Sequence, residues 1–333
     1  MFLYINYPSW IHPEIFPGLP ILGLVRWYGL MYIFAFATAY FILKRLLKEG
    51  FFTLENRSIT EDDIFSYIST GIVFLLIGAR IFSTLVYDTS GLYWRKPWLI
   101  FWPFDEVSHK FTGLAGMSYH GGFIGGLIGC IFWCKKNKVP VLKFMDAMVL
   151  AIPAGYTFGR LGNFLNGELF GRITTAPWGM VFPSAQRFSI SLNWVQVVLT
   201  KINMSVPEGA KLVNLPRHPS QLYEALFEGL VTFAILWTVY KTKKKRADGF
   251  ITALYPICYG VFRFVIEYFR EPDVDIGYRF SVQKGALTYM NTSLLNLSTG
   301  QLLCALMILF GLGLMIFSLL SSKKQTAKST KAE

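Results

Sequence analysis

The sequence predicts an all-α polytopic membrane protein: seven transmembrane helices, the N-terminus outside, the C-terminus cytoplasmic, and a small external subdomain. Three observations predict it. Of the 333 residues, 53% are hydrophobic and 16% charged, against roughly 25% charged in a soluble domain. Apolar runs recur along the chain that can serve to cross a hydrocarbon core about 30 Å thick. Basic residues crowd behind every second run.

The elements follow in order. Residues 1–21 carry four prolines and are expected to form an irregular or partly strand-like external segment against the membrane. Residues 22–320 form the seven-helix membrane domain, with apolar runs at 27–43, 64–79, 114–134, 147–158, 225–240, 250–262 and 302–320. The loop at 88–112 is rich in Trp, Phe and Tyr, as an interfacial aromatic belt would be. An insertion at about 167–217, with Gly, Pro, Trp178 and Trp194, is long enough for the external subdomain. Residues 270–299 form a second external loop, and 321–333 a disordered cytoplasmic tail. No internal repeat is apparent.

Charge sets the orientation. Lys44, Arg45, Lys48 and Arg57 follow the first run, and Lys135, Lys136, Lys138 and Lys143 the third. Lys241, Lys243, Lys244, Lys245 and Arg246 follow the fifth, and Lys323, Lys324, Lys328 and Lys331 the seventh. One topology puts all seventeen on one side, leaving eleven in the opposite loops, and the positive-inside rule makes that side cytoplasmic. The net charge of +12 mostly reflects this asymmetry. A nucleic-acid partner would need a basic face on a folded domain, and the sequence offers none. No cleavable signal peptide is expected, because no Lys or Arg precedes Arg26. Cys130, Cys134, Cys258 and Cys304 all lie in apolar runs and read as small buried residues. No metal-ligand spacing is found, so no metal is expected.

Four arginines, Arg26, Arg80, Arg160 and Arg263, fall within or at the edge of apolar runs. Each costs about 2.5–3.5 kcal/mol at a bilayer centre on insertion scales. The fourth run ends in Gly159-Arg160-Leu161-Gly162-Asn163-Phe164-Leu165-Asn166-Gly167-Glu168. On a helix, Arg160, Asn163 and Gly167 share a face, and the glycines at 159 and 162 remove bulk beside Arg160. Arginine suits phosphate because its guanidinium donates two parallel hydrogen bonds. An Arg snorkelling to the interface is the plainer alternative. The third run opens with Met117-Ser118-Tyr119-His120-Gly121-Gly122. Helix packing alone explains glycines repeating every four residues, whereas His120 is either a proton acceptor or a hydrogen-bonded structural residue. In the sixth run Arg263, Glu267 and Arg270 stand at i, i+4 and i+7, an ion-pair ladder that would lower the cost of burying each. The fifth run begins with His218-Pro219-Ser220-Gln221-Leu222-Tyr223-Glu224, whose polar residues lie near the outer interface. In this topology all these clusters fall toward the outer leaflet, where an anionic lipid headgroup would lie.

The motifs resemble those of the bacterial prolipoprotein diacylglyceryl transferases over nearly the whole chain. Gly159 to Gly171 reads as that family's signature, Gly-Arg-x-Gly-Asn-Phe-x-Asn-x-Glu-x-x-Gly. Trp27-Tyr28-Gly29-Leu30-Met31-Tyr32, the segments from Met117 and His218, and Phe262-Arg263 to Arg270-Glu271-Pro272-Asp273 fall in family order. Tyr119 departs from the usual Phe, and loops 172–217 and 274–299 do not align clearly. The resemblance implies transfer of a diacylglyceryl group from phosphatidylglycerol to the lipobox cysteine of a prolipoprotein signal peptide, in the bacterial inner membrane, without a cofactor. It implies His120 as the base, with Arg160 and Arg263 holding the phosphate. Asn163, Tyr28, Glu168 and Gly171 complete the lipid site, and Asn166, Tyr259, Glu267 and Arg270 support it. The competing classes are an anion transporter, whose polar residues should continue to the inner face and whose site tends to lie at the midplane between repeats, and a non-catalytic lipid-binding scaffold.

Overall fold

The computed structural model describes residues 4–18, 25–104, 109–110, 116–242, 246–272, 277–282 and 287–329, with 323–329 described as backbone only. Lys243, Lys244, Lys245, Asp273, Lys284 and Lys331 lie outside the described residues.

Each predicted apolar run holds a helix, although in the third the helix begins only at Tyr119 and residues 116–118 are not helical. The longer helices are α1 (Trp27–Lys48), α2 (Glu61–Tyr87), α3 (Tyr119–Lys136), α4 (Val141–Leu165), α5 (Asn193–Ile202), α6 (Ser220–Lys241), α7 (Phe250–Ile266) and α8 (Thr299–Ser329). Five of them, α1, α2, α4, α6 and α8 as far as Ser322, are long and apolar enough to cross a membrane. The shorter α3 and α7 have 18 and 17 residues. Helix α8 continues to Ser329, into the tail that composition predicts to be disordered. Among the described residues there is no closed sheet, only three two-stranded pairs: β1 (Ile5–Asn6) parallel to β2 (Met180–Val181), β3 (Arg187–Ser189) antiparallel to β4 (Leu212–Asn214), and β5 (Tyr278–Phe280) antiparallel to β6 (Leu297–Ser298).

The chain forms two compact units, one of Met1–Ala39 with Val149–Glu333, the other of Tyr40–Met148. In the smaller unit α2 starts with a capping box: Thr60 accepts from the Asp63 amide, and the Asp63 carboxylate accepts from the Thr60 amide. The buried Tyr67 and Phe144 rings pack at 5.4 Å, and Trp133 joins them. Helix α3 lies against α2 through one stripe of small residues. A Cβ on Gly121 would collide with Gly78 O and Phe82, and one on Gly125 with Phe74 O. A Cβ on Gly129 would sit 2.6 Å from Phe74 Cβ. The neighbouring stripe, Gly122 and Gly126, would meet its nearest atoms only at 3.5 and 3.6 Å.

In the larger unit α1 crosses α4 at small residues, a Cβ on Gly155 coming 3.3 Å from Ala35 O. The 167–217 insertion has its own core: Val195, Val198, Leu199 and Ile202 form one apolar face of α5, buried with Phe188 of β3 and Val213 of β4. Asn203, in the left-handed region at φ 52°, ends that helix.

Candidate active site

Helix α4 places Tyr156, Arg160 and Asn163 on one face at i, i+4 and i+7. Arg160 Nε donates to the Tyr156 hydroxyl at 2.7 Å and lies 3.0 Å from Glu224 Oε2. Its Nη1 reaches Asn163 Oδ1 at 3.4 Å, and its guanidinium stacks over the Tyr156 ring, 4.9 Å from the centroid. Asn163 and Asn166 both donate to Glu168 Oε1, at 3.0 and 3.3 Å. Gly167 does not continue the helical face shared by Arg160 and Asn163. The helix ends at Leu165, and Gly167 turns the chain away at φ 65°, a conformation glycine adopts without a Cβ penalty.

Helix α6 supplies the acidic counterpart. Its polar N-terminal turn leads into a π-helical stretch, Ala225–Val231, of the kind that often marks functional positions. Glu224 and Glu228 stand one turn apart with side chains 0% exposed. The Tyr156 hydroxyl donates to Glu228 and lies 3.4 Å from Glu224 Oε2. From α7, Arg263 Nη1 lies 3.1 Å from Glu224 Oε2 and 3.7 Å from Glu228 Oε1, while Nη2 lies 3.2 Å from Glu267 Oε2. The expected Arg263–Glu267–Arg270 ladder is therefore only half formed. Helix α7 stops at Ile266, and Arg270 Nε instead lies 3.5 Å from Glu224 Oε1. Glu267 is fixed from its other side by Ser298, whose hydroxyl donates at 2.9 Å.

The other sequence-derived candidates, apart from His120, lie in the same unit as this cluster. Tyr28 donates to or accepts from Tyr32 at 3.1 Å, and its Cδ2 would lie 3.3 Å from a Cβ on Gly162. Gly162 is thus filled by α1, while a Cβ on Gly159 would meet nothing within 4 Å. The Tyr259 ring meets Tyr156 edge-on at 5.8 Å. Gly171 N donates to His218 O at 2.8 Å and bridges Arg270, and a Cβ there would strike Phe269 O. Gly171 therefore allows three backbones to meet. His218 packs on Tyr223 and Phe269. Burial, helped by the Arg172 charge, pushes its pKa down to about 4, so its imidazole is neutral near pH 7.

His120 belongs to the smaller unit. It is the second residue of α3, after Ser118 caps the helix by accepting from the Gly121 amide. The imidazole is exposed, and its Nδ1 lies 2.7 Å from the Tyr87 hydroxyl. Arg80, in the same unit, is buried and donates to the carbonyls of Ile100 and Gly116. That role is structural.

Three residues of the larger cluster do not stand out in the sequence. Glu224 reads there as an interfacial polar group, and Glu228 and Tyr156 are submerged in apolar runs. The available signal was two glutamates four apart at the mouth of an apolar span. Together the residues form an array of three guanidinium groups directed by buried carboxylates, suited to an anion with several oxygens.

The family model described as prolipoprotein diacylglyceryl transferase matches residues 19–317. The chain is 51% identical to the phosphatidylglycerol–prolipoprotein diacylglyceryl transferase of Treponema denticola, over 98% of each chain. It is 50% identical to the enzyme so named in Treponema pallidum, over 93% of this chain and 94% of that one. Identity to the Borreliella burgdorferi enzyme of the same name is 39%, over 93% and 92%. With the model covering most of its length and such relatives matching nearly end to end, the chain belongs to the prolipoprotein diacylglyceryl transferase family.

Proposed function

We propose that the protein transfers the diacylglyceryl group of phosphatidylglycerol to the thiol of a prolipoprotein's lipobox cysteine. The sulfur attacks the glyceryl carbon that bears the phosphate. An S–C bond forms, the C–O bond breaks, its electron pair stays on the phosphate oxygen, and glycerol phosphate leaves. The observation that carries the reading is the gathering of Arg160, Arg263 and Arg270 around buried Glu224, in a chain half-identical to enzymes of that name. A phosphate leaving group accumulates negative charge, which prearranged cations stabilise.

In this reading Arg160 and Arg263 face the phosphate, and Tyr28, Asn163, Glu168 and Gly171 shape the lipid site. Asn166, Tyr259, Glu267 and Arg270 support them. His120 takes the thiol proton, since the thiolate is the nucleophile; its contact with Tyr87 would hold the ring. The protein spans the bacterial inner membrane seven times, N-terminus outside, with the site toward the outer leaflet. The test incubates purified protein with phosphatidylglycerol and a peptide carrying a lipobox cysteine. A thioether-linked diacylglyceryl adduct in the mass spectrum is expected. Lipid binding without any adduct would leave a scaffold and overturn the reading.

A further inference from the structure

Glu224 has no role in the assignments above, yet it is the carboxylate on which the cluster converges. Its side chain is 0% exposed, with Oε2 3.0 Å from Arg160 Nε and 3.1 Å from Arg263 Nη1, and Oε1 3.5 Å from Arg270 Nε. The cations arrive from three segments: α4, α7 and the chain just beyond α7. Like charges this close repel, and in a poorly solvated site only an anion among them keeps them together. Glu228 and Glu267 do not share this place. Among the described ion pairs each reaches Arg263, whereas Arg160 and Arg270 both turn to Glu224. A simple helix-to-helix staple needs one partner. One carboxylate shared by three guanidiniums leaves each with donors for a further anion. The 3.5 Å contact with Arg270 is not a hydrogen bond, which fits such partial commitment.

We infer that Glu224 is a positioning residue: it aims Arg160, Arg263 and Arg270 at the phosphate and holds down their combined charge so that the anion can leave. This rests on the transfer reaction proposed above. Its consequences differ in sign from those of lost packing. Glu224→Gln keeps the size of the side chain and removes the charge. The guanidiniums then attract an anion more strongly but are no longer aimed. Binding should hold or tighten while turnover falls, on the order of 10²-fold, the loss seen when a prearranged donor is removed.

The experiment compares wild type, Glu224→Gln and Glu224→Asp in detergent. It measures kcat and KM with phosphatidylglycerol and a lipobox peptide, and short-chain phosphatidylglycerol binding by calorimetry. The expected result for Glu224→Gln is a kcat about 10²-fold lower, with KM and Kd unchanged or lower. Glu224→Asp, which keeps the charge on a shorter arm, should be at least about tenfold more active than Glu224→Gln. Wild-type kcat in Glu224→Gln, a loss carried by raised KM, weaker lipid binding, or equal loss in the Asp and Gln variants would each overturn the inference. If Glu224→Gln does not fold, Glu224→Asp carries the test: a lowered kcat at unchanged KM supports the positioning role, and a raised KM overturns it. If wild type makes no thioether, the proposed reaction falls instead, and the binding arm still decides whether Glu224 restrains the arginines' charge.

Discussion

At the scale of single residues, Arg160 ties the α4 motif to the acidic cluster. Its Nε faces Tyr156 and Glu224 while Nη1 reaches Asn163, so a planar, multi-donor head is required. Arg160→Ala should abolish transfer while the protein still inserts into the membrane. Arg160→Lys keeps a charge but not the fork and should lose on the order of 10²-fold in kcat/KM. Thioether assays on membrane fractions, normalised to inserted protein, check both; retained activity in Arg160→Ala would remove this residue from the site. Arg160, Asn163 and Glu168 are legible in the sequence because polar groups stand out at the end of an apolar run. Glu224, Glu228 and Tyr156 are not, because their importance lies in partners on other helices. A tyrosine in an apolar run looks like any aromatic filler until a carboxylate is found 68 or 72 residues away.

At the scale of elements, the positions of the long helices other than α5 follow from the apolar runs, but helix ends and contact faces do not. The fourth run reads as 147–158, yet α4 extends over Val141–Leu165, since its polar flanks continue the backbone hydrogen bonds. The glycine repeat of α3 predicts close packing without saying which stripe is used. The structure distinguishes them: a Cβ at Gly125 collides with the α2 backbone, whereas one at Gly126 lies 3.6 Å from Leu75 Cβ in ordinary contact. Gly125→Ala should therefore lower the thermal midpoint in detergent, with overpacking costing about 1–3 kcal/mol. Gly126→Ala should be neutral or stabilising, since alanine is favoured over glycine within a helix by up to about 1 kcal/mol. Equal midpoints for the two variants would contradict the packing of α3 on α2 through the first stripe.

At the scale of the whole molecule, the number of spans decides where the insertion at 167–217 lies. Five helices are long and apolar enough to cross. The 18 residues of α3 and 17 of α7 give roughly 27 and 26 Å at 1.5 Å per residue, just under the hydrocarbon thickness of about 30 Å. Local thinning and snorkelling flanks accommodate that deficit at modest cost. If both cross, the loops holding Lys138 and Arg246 are cytoplasmic and the insertion is outside, with the basic residues distributed as the positive-inside rule requires. If neither crosses and the N-terminus stays outside, the Lys138 loop moves outside and the insertion becomes cytoplasmic, against that rule. Single cysteines at Lys138 and Lys211, in a background where Cys130, Cys134, Cys258 and Cys304 are replaced, separate the two. A membrane-impermeant maleimide applied outside the inner membrane should label Lys211→Cys at once and Lys138→Cys only after that membrane is permeabilised. The reverse pattern would fit the five-span alternative and place the insertion, with its α5 core, on the side opposite to the proposed outer-leaflet chemistry.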